Sequence, residues 1–166
     1  YNQYASNGAA KITFAVELSS DLWATVPPSS YHAQNGAQII FNTAANSELI
    51  GRHEYLRDLI TNQSARCLAG YVYASAGFGE STTDCVFAGN AIIAENGKLL
   101  AESPRFTMEE QLVISDIDIE YLDHDRMVSG FFNNLSGREY RIVKIDNDIN
   151  EEVKPSVGRR YDSLPF

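Results

Sequence analysis

Positive charge is scarce in this 166-residue chain: 13 Lys and Arg stand against 22 Asp and Glu, a net charge of −9. So acidic a chain repels phosphate backbones, and no Lys/Arg cluster is dense enough to reverse that, so neither nucleic acid nor an anionic membrane is an expected partner. Long apolar runs are also missing; none approaches the roughly 18 residues that a bilayer crossing needs. Residues 1–5 (YNQYA) lack the basic-then-apolar order of a signal peptide, so none is expected. Cysteine is reduced to Cys67 and Cys85, which have neither metal-ligand spacing nor the pattern of a disulfide framework. These absences point to a reduced, cytoplasmic protein. Internal repeats and low-complexity linkers are lacking as well, which leaves a single domain as the expectation.

The patterns that are present belong to a layered α/β protein. In residues 11–18 (KITFAVEL) the apolar side chains Ile12, Phe14, Val16 and Leu18 alternate, which predicts a strand. Pro27-Pro28-Ser29-Ser30 suits the opening of a short helix that passes His32 and Gln34 and stops at Gly36. Residues 37–42 (AQIIFN) read as a second, buried strand, and 43–51 as a loop. Residues 52–68 carry the clearest helical stripe, Leu56, Leu59, Ile60 and Cys67, with Arg52, Arg57 and Arg66 on or near the wet side. A third strand is predicted at 70–76. A hairpin follows, 91–94 with 98–101, closed by Asn96-Gly97, the strongest short signal for a type I′ turn. Further strands are predicted at 111–117 and 140–145, and Asp116 or Asp118 is expected to cap a short helix carrying Tyr121, Leu122 and Met127. Strands alternating with helices and then a hairpin indicate α/β layering. The core is expected within about 11–145, with 146–166 as an arm or linker.

Six stretches resemble one family: VELSSDLW, PPSSYHA, GAQIIFN, NSELIGR, QSARCLAGYVYASAGFGESTTD and NAIIAENGKLLAESPRF, spread over residues 11–126. They are similar to the carbon–nitrogen hydrolase (nitrilase-type) glutaminase domain of glutamine-dependent NAD synthetases, in its C-terminal half. The long QSARCLAGYVYASAGFGESTTD stretch is the most particular to that group; the Asn-Gly hairpin is shared with nitrilases generally. Residues 161–166 resemble the passage from glutaminase to synthetase domain.

The resemblance implies part of a four-layer α-β-β-α sandwich and a Glu–Lys–Cys triad that hydrolyses the side-chain amide of glutamine. It further implies ammonia delivery to a separate synthetase domain, where ATP and Mg²⁺ serve to amidate nicotinic acid adenine dinucleotide; no cofactor and no metal is expected in this chain. The family's Cys-Glu-Asp-Leu-Trp motif falls on Ser19-Ser20-Asp21-Leu22-Trp23, so the nucleophile position is Ser19 and its acidic neighbour has become Ser20. Asn46 stands where the family tends to use a serine near bound glutamine, Arg52 matches a cation suited to the substrate carboxylate, and Trp23 is core or pocket wall. Glu80 and Asp84 frame a Gly- and Thr-rich loop that is either turn chemistry or a pocket or interface lining. The family's glutamate and lysine match nothing here and would lie upstream.

A thiol, with pKa of about 8.5, is readily tuned to a thiolate, while a serine hydroxyl needs a stronger base arrangement. Ser19 is therefore either a serine nucleophile or a replacement that silences the site, and silence is the expectation. Three functions compete: a glutamine-hydrolysing part of an NAD synthetase, a catalytically dead assembly module, and another amidase or nitrilase. Cys67 and Cys85 are expected to be packed, and His32, His53 and His124 to be surface or capping residues. Half a sandwich would leave a sheet face uncovered, so a partner chain, homo-oligomerisation or a rearranged fold is expected.

Overall fold

A computed structural model describes residues 11–80, 83–133, 140–145 and 158. Five strands form one mixed sheet in the order β1 (Phe14–Leu18), β2 (Ile39–Ala44), β3 (Gly70–Ser75), β4 (Ala91–Glu95) and β5 (Lys98–Glu102). The first three run parallel, and β4 and β5 are antiparallel additions. The parallel strands need crossovers, which α1 (Pro28–Gln34) and α2 (Arg52–Cys67) supply.

The helices cover one face of the sheet. Ile40, Tyr71, Tyr73, Ile92 and Ala94 meet Ala33, Leu56, Ile60 and Cys67 in one buried cluster. The expected stripe on α2 is therefore the packed one, with Leu59 at its edge. Among the described residues the other face has no such cover: Phe14, Val16 and Leu18 are 49%, 51% and 61% exposed. The predicted alternation of β1 is thus correct, but its apolar side faces away from the helices, while Ala15 and Glu17 face inward. Phe14 meets Phe41 of β2 edge-on at 5.6 Å on this open face.

The hairpin turn matches its signal, with Asn96 and Gly97 at φ +44° and +84°, the two positive values a type I′ turn requires. α2 ends on Leu68 in the left-handed region. Arg126 of α3 (Ile119–Val128) then claims two carbonyls at this end and one just before β2: the guanidinium donates to Leu68 O (3.0 Å), Cys67 O (2.9 Å) and Ala37 O (2.7 Å). Desolvation holds the Arg126 pKa below its ordinary value, and Phe132 stacks on the cation at 5.0 Å. Arg126→Ala is expected to cost about 3 kcal/mol in urea unfolding, since three carbonyls lose a charged donor; a loss below about 0.5 kcal/mol would show that water replaces the guanidinium freely. Asp118 is the helix cap, accepting from Tyr121 N at 2.9 Å.

Two strand expectations fail. Residues 111–117 and 140–145 pair with no strand, and Leu112, Ile114, Ile142 and Val143 are 83%, 76%, 74% and 68% exposed. Alternation reports which way side chains would point; it supplies no neighbouring edge, and no partner is found among the described residues. Cys85, expected to be packed, lies in an irregular, partly exposed segment. The expected arm at 146–166 lies outside the described residues, except Gly158, whose N–H donates to Asp116 Oδ2 at 2.7 Å.

Candidate active site

The carboxyl ends of parallel strands, with the loops leaving them, are where open α/β sheets bind ligands. Here the chain leaves β1 through Ser19 at φ +44° and enters a 3₁₀ turn, Ser19–Trp23. That region is strained for any residue with a side chain, so the surroundings must impose it. They do: Asp21 Oδ2 accepts from Leu18 N–H at 2.8 Å, and Asn42 Nδ2 donates to Ser19 O at 3.5 Å. The Ser19 hydroxyl donates to Asn46 Oδ1 at 2.9 Å and accepts from Ala45 N–H at 3.4 Å. Asn46 in turn donates to the Tyr73 hydroxyl at 3.5 Å.

Beside Asn46 lies a narrow cleft of about 20 Å³, room for one water molecule, lined among others by Trp23, Glu48, Arg52, Tyr73 and Asn90. Arg52, the first residue of α2, lies 4.1 Å over the Trp23 ring, and Tyr55 flanks that ring at 5.4 Å. Trp23 is therefore a pocket wall and at the same time packs on the core cluster. At the cleft rim Glu48 pairs with Arg105 (3.1 Å), while His53 and Arg57 both reach Glu102 (2.9 and 3.2 Å). The structure thus brings Ser19, Asn46, Arg52 and Trp23 to one end of the sheet. Ser20, Glu80 and Asp84 are exposed and line no part of this cleft.

Beneath the Ser19 turn sits a group that sequence patterning did not single out. Glu17, only 2% exposed, accepts from Ser29 N–H (2.7 Å), from Asn42 Nδ2 (3.4 Å) and from the Tyr71 hydroxyl. Burial, and then the nearby Glu17 carboxylate, push the Tyr71 pKa well above its ordinary value. The same two causes push the Cys67 thiol up to about 12, which makes it inert packing rather than a misplaced nucleophile. Alternation alone puts Glu17 on the polar side of β1, between Val16 and Leu18, so the sequence carried no signal of its burial.

No family model matches the chain. Over 168 aligned residues, 98% of this chain, it is 39% identical to the glutamine-dependent NAD(+) synthetase of Mycobacterium leprae (strain TN). The chain resembles one segment of glutamine-dependent NAD(+) synthetases. It spans 25% of the length of the curated relatives it matches. Among solved structures, the glutamine-dependent NAD+ synthetase of Acinetobacter baumannii in complex with ADP superposes with a TM-score of 0.57 at 18% identity, over 66% of this chain and 20% of that one. Saccharomyces cerevisiae Nit3, a member of the nitrilase superfamily, gives 0.58 at 18% identity over 70% of this chain and 41% of its own. The architecture is thus part of a nitrilase-type fold. Its single helix-covered face is one β-layer with its α-layer, half of the sandwich that the resemblance implies. No helix among the described residues is long and apolar enough to cross a membrane.

Proposed function

We propose that this chain is the part of the glutamine-hydrolysing unit of an NAD synthetase that carries the nucleophile position, here occupied by Ser19. The observation that carries the reading is the strained turn at Ser19, hydrogen-bonded to a wall residue of a cleft that also contains Arg52. In this reading the α-carboxylate of L-glutamine pairs with Arg52, and its carboxamide lies toward Ser19. The cleft is water-sized, so substrate enters only as its wall side chains give way. The general base and the oxyanion-stabilising cation come from elsewhere in the polypeptide, which also supplies the layer over the open sheet face. Residues 146–166 lead onward to a synthetase domain.

ATP and Mg²⁺ belong to that other domain. The carboxylates around α3 do not fit a metal: Asp118 caps the helix, Asp123 accepts from Gln38 and Asp125 from Asn96. The whole is expected to be a cytoplasmic homo-oligomer.

Ser19 speaks against turnover in the chain as it stands. Its proton points at an amide oxygen, which is no base, so the hydroxyl is not activated. A catalytically silent module that still binds glutamine is the second reading, and that hydrogen bond favours it. The test of the site itself is therefore binding. Calorimetry on the full polypeptide is expected to give saturable L-glutamine binding that weakens about tenfold or more in Arg52→Ala, the cost of one charge-assisted contact. Binding that is absent, or indifferent to Arg52, defeats the assignment.

A further inference from the structure

The cleft carries two opposite charges, Arg52 and Glu48. Arg52 sits against the Trp23 ring with no carboxylate paired to it among the described residues. Glu48, two residues after Asn46, lines the same cleft and is held from behind by its backbone N–H donating to Val86 O at 2.7 Å. One of its carboxylate oxygens accepts from Arg105 at 3.1 Å. The side chain is 18% exposed, largely desolvated yet lining the cleft.

We propose that Glu48 receives the free α-ammonium group of the substrate, so that the cleft selects a zwitterionic α-amino acid amide over a simple carboxylate-bearing amide. The proposal rests on the glutamine-site reading above and deepens it. A site with Arg52 alone would accept any amide that ends in a carboxylate. A carboxylate lining the same cleft adds a second, oppositely charged contact, and the two together match the ammonium and carboxylate of an α-amino acid. Glu48 is already paid in part by Arg105, so an arriving ammonium exchanges one cation for another without leaving a buried charge bare. An acylated nitrogen, as in a peptide, brings no cation and leaves the Glu48–Arg105 pair intact. Free amino acid is thereby separated from peptide-bound glutamine.

The test uses calorimetry on the full polypeptide with two ligands, L-glutamine and glutaramate, which keeps the amide and the carboxylate and lacks the α-amino group. L-Glutamine is expected to bind about tenfold or more tightly than glutaramate. Glu48→Gln should weaken L-glutamine by about that factor and leave glutaramate within about twofold, abolishing the preference. Arg105→Gln removes the ion pair but keeps the carboxylate, and should retain the preference. Equal losses for both ligands in Glu48→Gln, or a preference that survives it, overturn the role of Glu48 while leaving the site intact. Equal binding of the two ligands to the parent protein does the same. A folded parent protein that binds neither ligand overturns the glutamine-site reading and this proposal with it.

Discussion

Placing cysteine at position 19 of the full polypeptide is expected to raise ammonia release from L-glutamine by on the order of 10³-fold or more. The backbone there is already shaped for a nucleophile: Ser19 sits at φ +44° where β1 ends, and its side chain lies beside Asn46 and the cleft. What the position lacks is an atom that ionises. A thiol of pKa about 8.5 is within reach of modest tuning, and a thiolate attacks the carboxamide without needing the strong base that a hydroxyl does. The hydrogen bond to Asn46 Oδ1 is weaker for sulfur, so the thiol is also freed from the amide that holds the serine proton. Ammonia release should be followed with L-glutamine as substrate, with Ser19→Ala as the comparison. Ser19→Ala is expected to match the parent protein, because the hydroxyl contributes no chemistry. A cysteine variant that binds glutamine and releases no more ammonia than the parent would show that the turn is not the reacting centre.

The second large effect is on stability. Glu17→Ala is expected to lower the free energy of unfolding by about 3 kcal/mol or more, measured by urea denaturation at unchanged slope. The carboxylate satisfies three donors at once: Ser29 N–H, Asn42 Nδ2 and the Tyr71 hydroxyl. Ser29, Asn42 and Tyr71 are 0%, 1% and 0% exposed, so water has no route to replace what is removed. Glu17→Gln keeps the shape and one acceptor, and should cost about 1 kcal/mol. Because Asn42 also reaches Ser19 O at 3.5 Å, the alanine variant should loosen the active-site turn as well. A stability change under about 0.5 kcal/mol for Glu17→Ala would mean that this network is ornamental.

The amount that could be read from sequence follows from what each signal physically encodes. The helix at 52–67 was legible because burial on one side writes a 3.6-residue stripe, and Leu56, Ile60 and Cys67 are that stripe. The hairpin was legible because Asn96 and Gly97 are chosen for positive φ before any tertiary contact forms. Residues 111–117 were not, because pairing depends on a neighbouring strand that alternation does not mention. Likewise Val16 and Leu18 announced a strand but not which layer they would meet. Ser19, Asn46 and Arg52 came from the resemblance; the structure adds that they converge at the ends of β1 and β2 and the start of α2. Glu17 and Glu48 escaped because a carboxylate in sequence is read as surface until its partners, Tyr71 and Arg105, are known to be near.

The bare side of the sheet has a consequence for how damage to this protein would be read. Phe14, Val16 and Leu18 lie on the very strand that delivers Ser19, half wetted in this segment. Whatever apolar layer settles on them clamps the strand from the opposite direction to the helices, so the strained peptide at its tip inherits its rigidity from both sides. A lesion in that second layer, far from any charged group of the cleft, would let the strand breathe and blur the position of residue 19. Loss of activity in such a variant, with Arg52 and Asn46 untouched, would be a mechanical failure that a map of the cleft alone would never locate.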